Sequence, residues 1–129
     1  MKMKNIDIIN ITDGLRKFDG KKKLPVKLGF AILKNYKEFE AAAKIIDEQR
    51  VRICEEHSEK DKNGKPIIKE DKFIIKDSKG LNNSLAELYS IETEISIHTI
   101  SMETIEQCDE NGFDKLSVTE MEILEFMIE

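Results

Sequence analysis

The chain has 129 residues, a formal net charge of −5, 40% apolar residues and 36% charged ones. That length suits one domain that buries its own core without disulfide or metal staples. An acidic balance argues against broad nonspecific nucleic-acid binding, which depends on Lys and Arg displacing phosphate counterions.

Taken in chain order, Ile8, Ile11, Leu15 and Phe18 follow a 3-4-3 spacing, which predicts a short helix over 5–18 despite Gly14. Asp19-Gly20 ends it, and Lys21, Lys22 and Lys23 form a loop, read as solvated with a local anion site as the alternative. A long amphipathic helix is predicted near residues 26–57. Leu24-Pro25 opens it, because proline is tolerated where an N–H would lack a partner. Ile32, Tyr36, Phe39, Ala43, Ile46, Arg50 and Ile53 then recur every three or four residues, and Leu28, Leu33 and Ala42 broaden the stripe. At ~1.5 Å per residue the helix spans about 45 Å, so part of this seam is expected to need a partner beyond the local core.

Asp61-Lys62-Asn63-Gly64 is a turn signal. Ile67-Ile68 and Phe73-Ile74-Ile75 flank a charged stretch, which predicts a small β-hairpin in a charged arm over 60–79. Leu81, Leu85, Leu88 and Ile91 or Glu92 predict a second helix packed on the long one. Glu94–Ile100 begins with the apolar–polar alternation of a strand. Residues 101–108 fit either a short helix or an edge strand. Ser117-Val118-Thr119-Glu120 has the form of a capping box, which predicts a final helix carrying Met121, Leu124, Phe126, Met127 and Ile128. The expected class is α+β, mainly α, in a single domain over 1–129. Its parts are a long central helix in a hairpin with a second helix, a small β insertion and a C-terminal helix.

Chemistry is sparse. Cys54 and Cys108 form no disulfide framework and suit a reducing compartment. Cys54, His57, His98 and Cys108 could supply four metal ligands, but their spacing matches no zinc signature, and no metal is expected. A small enzyme would require His57 or His98 beside a cysteine. No phosphate loop or dinucleotide fingerprint is present, so neither a cofactor nor a catalytic set is expected. A helix-turn-helix over 5–35 would need a shorter connecting loop. No apolar run approaches the ~20 residues of a membrane span, and the start lacks the apolar core of a signal peptide, so a cytosolic location is expected.

The stretch from Leu24 to Asn35 stands out. Gly29 costs up to ~1 kcal/mol in a helix, so a close helix approach or a bound group is expected to offset it. Lys27 and Lys34 share a face. With Asn35, Arg50 and Arg52 they are the candidate contacts for a ligand or partner, and the lysines and arginines would meet an anion.

This stretch resembles a family of small phage and prophage proteins known as domain of unknown function 1617. The likeness runs through Leu24-Pro25-Val26-Lys27 to Lys34-Asn35 and along the helix to Arg50. It resumes from Glu87-Leu88-Tyr89 to Ile100 and from Leu116-Ser117-Val118-Thr119 to Phe126-Met127-Ile128. The Lys60–Lys79 arm matches poorly. The resemblance rests on hydrophobic pattern and carries over no catalytic residue. It implies a phage-encoded, non-enzymatic accessory protein in the host bacterial cytoplasm. Such a protein would act by protein–protein interaction in virion or tail assembly, or by self-association as a homo-oligomer. The alternative is a host-defence antagonist that binds an immune protein or sequesters its nucleotide signal.

Overall fold

The computed structural model describes all 129 residues. A short strand β1 (Lys2–Lys4) runs directly into helix α1 (Asn5–Arg16), and a loop leads to the long helix α2 (Val26–Glu56). A hairpin of β2 (Ile68–Lys69) and β3 (Lys72–Phe73) follows, then helix α3 (Ser78–Ser90) and strand β4 (Glu92–Glu94). Helix α4 (Met102–Glu106) and helix α5 (Val118–Leu124) each run on into a 3-10 turn. The fold is α+β and mainly α. α2 packs against both α1 and α3. No helix is long and apolar enough to cross a membrane.

α2 is one unbroken rod of 31 residues. Pro25 occupies its N-cap, and the Pro25 carbonyl accepts the first helical hydrogen bond from Gly29 N at 3.0 Å. The buried row along α2 is Leu28, Ala31, Asn35, Phe39, Ala43 and Ile46. Ile32, Tyr36 and Ile53, expected at the centre of the seam, are half-buried and flank the core. The stripe therefore lies further round the helix than apolar periodicity places it, because a polar residue, Asn35, sits on its midline.

The chain itself covers this ridge. Ile8 and Leu15 of α1, Leu88 of α3, Ile95, Ile100, Ile105 and Cys108 of the following segments, and Leu124 and Met127 at the C-terminal end join it in one buried cluster. Of the expected Ile32–Ile53 seam, Phe39, Ala43 and Ile46 are thus covered by the chain itself, while Ile32, Tyr36 and Ile53 stay half-buried.

Polar side chains knit the cluster to its surroundings. Thr12 is fully buried where α1 meets α2, and its hydroxyl donates to the Ile8 carbonyl at 2.6 Å. Asn5, also buried, donates from Nδ2 to the Leu88 carbonyl at 2.9 Å and accepts from the Thr93 hydroxyl at 2.6 Å. These two bonds tie the start of α1 to the end of α3 and to β4.

β1 was not visible in the sequence pattern. It pairs antiparallel with β4, placing Lys2 opposite Glu94 and Lys4 opposite Glu92. Opposite charges directly across an antiparallel pair are favourable by a few tenths of a kcal/mol each. The strand expected from Glu94 onward instead covers Glu92–Glu94, because its partner strand is only three residues long. Beyond it the chain is anchored singly, with Ile95 N donating to the Met1 carbonyl and Ile100 N to the Met127 carbonyl, each at 2.9 Å. Residues 102–106 resolve the ambiguity of that region as a helix, capped by Ser101.

The hairpin of β2 and β3 forms where the sequence places it. Its turn residues Glu70 and Asp71 both have positive φ, 51° and 63°, the two-residue geometry that matches strand twist. No residue between 54 and 87 belongs to the core cluster.

Of the two offsets expected for Gly29, the structure lacks the close helix approach. A Cβ built there would have nothing within 4 Å, so no close helix approach explains it. Gly29→Ala should therefore raise the unfolding free energy by about 0.5–1 kcal/mol, the helix-propensity difference alone. A denaturant titration checks this, and an unchanged or lower midpoint contradicts it.

Candidate functional site

The five residues singled out in the sequence do not converge. Lys27 is exposed and lines a depression of about 460 Å³ together with Phe30, His98 and Thr104. There the Phe30 and His98 rings meet edge to face, 5.3 Å apart. Lys34 is exposed but does not line that depression. Arg50 donates from Nε to Asp47 Oδ1 at 2.8 Å, and this bond holds the guanidinium pKa above its ordinary value. Arg52 is exposed. Lys27 and Arg50 are 23 positions apart on a straight helix, about 35 Å, too far to grip one small anion within a chain.

Asn35 needs correction as a ligand contact. It is fully buried, donating from Nδ2 to the His98 carbonyl at 2.9 Å and accepting from His98 N–H at 2.7 Å. This two-way amide clamp fastens the 95–100 segment to α2. Its carboxamide is engaged by the His98 backbone and by Met127 Sδ and is closed off from solvent.

The lysine run is partly structural. Lys22 Nζ lies 2.9 Å from Glu120 Oε1 and donates to the Lys115 carbonyl at 2.9 Å. Glu120 is the far member of the capping box: it accepts from Ser117 N–H while its own N–H donates to Ser117 Oγ. Burial pushes the Glu120 carboxyl up, but the bonds from Ser117 and Lys22 outweigh it and hold its pKa below the ordinary 4.5. A depressed carboxylate contributes stability above its unfolded pKa and loses it as pH falls through the folded value. Glu120→Gln keeps the capping geometry and removes the charge. The variant should be less stable than wild type at pH 7, and the gap should close as pH drops below 4.5. Thermal melts at both pH values check this; a pH-independent gap would refute it.

No group of three or more His, Cys, Asp or Glu side chains comes together to hold a metal ion. Cys54 and His57 lie at the end of α2, and His98 and Cys108 lie in the later segments. Cys108 is buried, and that burial raises its thiol pKa, away from the thiolate a nucleophile needs.

A cluster that the sequence did not suggest surrounds His57 instead. Its Nδ1 lies 3.6 Å from Asp77 Oδ2, and its Nε2 lies 3.4 Å from Ser84 Oγ. The order is that of a serine–histidine–carboxylate relay, but both links exceed the ~2.6–3.2 Å of proton-transferring pairs. Asp77 is also engaged at the cap of α3, accepting from Gly80 N–H at 2.9 Å. The His57 carbonyl accepts from Lys76 N at 2.8 Å. None of the three side chains lines the main surface depressions. The cluster is the joint that holds the arm's exit and the start of α3 against the end of α2.

A broad concavity of about 1000 Å³ lies elsewhere. Ala41, Ala42 and Ile45 of α2 form one wall, and Ile91, Ile95 and Ile97 form the other. Ile45 is 64% exposed and Ile91 50%. Such apolar exposure is what protein-contact surfaces present. No protein-family model, no curated protein and no solved structure matches this chain.

Proposed function

We propose that this chain is a phage-encoded, non-enzymatic accessory protein that acts in the bacterial cytoplasm by binding other protein chains through the outer faces of α2. The observation that carries this reading is the division of α2 into two sides. One side is the core, while the other leaves Val26, Phe30, Leu33 and Ile45 between 55% and 88% exposed. Four large apolar side chains on one solvent-facing rod, beside an apolar groove, suit a docking surface better than a catalytic cleft. The phage origin is supported by the family resemblance described above. Virion or tail-assembly components and a second copy of the chain are the partner classes that fit it. Photo-crosslinking residues placed at Phe30 and at Ile45 during infection test the reading. Discrete crosslinked protein species are expected, and none at either position overturns it.

The depression beside Lys27 favours a second reading, a host-defence antagonist that sequesters a nucleotide signal. A lysine ammonium next to paired aromatic rings offers contacts for both a phosphate and a base. A cyclic nucleotide bound there at 100 times its Kd should add about 2.7 kcal/mol of stability. A thermal shift of several degrees is then expected, reduced by Lys27→Ala; a flat response removes this reading.

A further inference from the structure

We infer that the protein forms a two-fold symmetric dimer in which α2 packs antiparallel against α2 of a second copy, centred on Ile45. The proposal deepens the interaction-protein reading, on which it rests, by naming the partner.

A second stripe runs along α2 through Lys34, Glu38, Ala41, Ile45, Gln49, Arg52 and Glu56, all of them exposed. On a helix turning ~100° per residue, all seven fall within about 40° of the Ile45 direction. They form a narrow solvent-facing strip about 33 Å long. Its charges are arranged as a palindrome. A two-fold axis through Ile45 brings position i opposite position 90 − i. Lys34 then meets Glu56 of the second copy, Glu38 meets Arg52, Ala41 meets Gln49, and Ile45 meets itself. Each charged position faces its opposite, and symmetry doubles both pairs.

Three further observations favour a second copy as the occupant. First, the strip sums to zero charge on a chain that carries −5, so the general repulsion between two acidic copies is absent along this line. Second, none of its four charged side chains takes part in an intrachain ion pair, whereas Arg50 nearby is held by Asp47. Third, Ala41 beside Ile45 leaves room for close helix approach, and the groove toward Ile91 and Ile97 offers apolar surface to the incoming rod. A parallel arrangement of the two rods would set lysine on lysine and glutamate on glutamate.

Sedimentation equilibrium on the full chain tests the proposal, with circular dichroism confirming that each variant is folded. At roughly 100 μM in low salt, wild type is expected near twice the 14.9 kDa chain mass. Ile45→Arg should weaken dimerisation at least tenfold, as expected for the central apolar anchor. Glu38→Arg and Arg52→Glu should each weaken it about three- to tenfold, and the double variant should recover most of the loss. Glu38 and Arg52 are about 21 Å apart within one chain, so this rescue can only act between copies. A monomeric wild type overturns the dimer, as does a dimer indifferent to Ile45→Arg; loss without charge-swap rescue overturns the antiparallel register. A monomeric wild type leaves the interaction-protein reading standing, which falls only if crosslinkers at Phe30 and Ile45 capture nothing.

Discussion

Asn35→Ala is expected to lower the unfolding free energy by about 2–4 kcal/mol, one of the largest effects of any single substitution in the chain. The amide makes two hydrogen bonds to the backbone of His98, one in each direction. Truncation strands both the N–H and the carbonyl of His98, which are part-buried, and each stranded backbone group costs ~1–3 kcal/mol when water cannot reach it. Nδ2 also lies 3.4 Å from Met127 Sδ, so a small void opens toward the C-terminal turn. Asn35→Asp should cost at least as much at neutral pH. A carboxylate cannot donate to the His98 carbonyl, and its charge would be fully buried. Urea denaturation of both variants checks this. An exposed ligand contact at this position would tolerate alanine within ~0.5 kcal/mol, so a change that small would return Asn35 to the surface.

The same residue shows where sequence reasoning stops. Local signals were legible. Pro25 marked the start of α2, three- and four-residue spacing carried the helix to Glu56, and the Ser117–Glu120 box set the start of α5. Each depends on residues within a few positions of one another. Asn35 could not be read that way, because its partner lies 63 positions along the chain. A polar residue next to Lys34 looks like surface until the backbone of His98 is placed over it. Asn5 is the same case, bonded to Leu88 at a separation of 83 positions. β1 was hidden for a related reason. Three residues reading Lys-Met-Lys carry no strand signal, and only the opposing Glu92 and Glu94 give them one.

The candidate site was legible only in part. The sequence identified α2 as the element that matters but weighted its cations, which the fold spreads along the rod. Lys34 and Arg52 stand out only as cations, while Ile45, in line with them, falls outside the apolar seam and so adds nothing to its periodicity. Its significance appears once the true buried row is fixed and Ile45 is seen to fall outside it.

Phe39→Ala should destabilise the fold by about 3–5 kcal/mol, the usual cost of emptying a buried aromatic site. Phe39 is 0% exposed, midway along the buried row, and its ring meets Phe126 edge to face at 5.1 Å. Losing it opens a void between α2 and the C-terminal turn that the rigid rod cannot collapse to fill. Phe39→Leu should cost clearly less, since it retains much of the volume. Ile45→Ala, six positions away on the same helix, should change stability by no more than ~0.5 kcal/mol when measured at protein concentrations low enough to keep the chain monomeric. Two large apolar residues on one helix are thus expected to behave oppositely, one essential to folding and the other to association. Chemical denaturation of the two alanine variants side by side separates these roles. If Phe39→Ala costs under ~1 kcal/mol, the buried row is misplaced on α2, and the outward assignment of Ile45 falls with it.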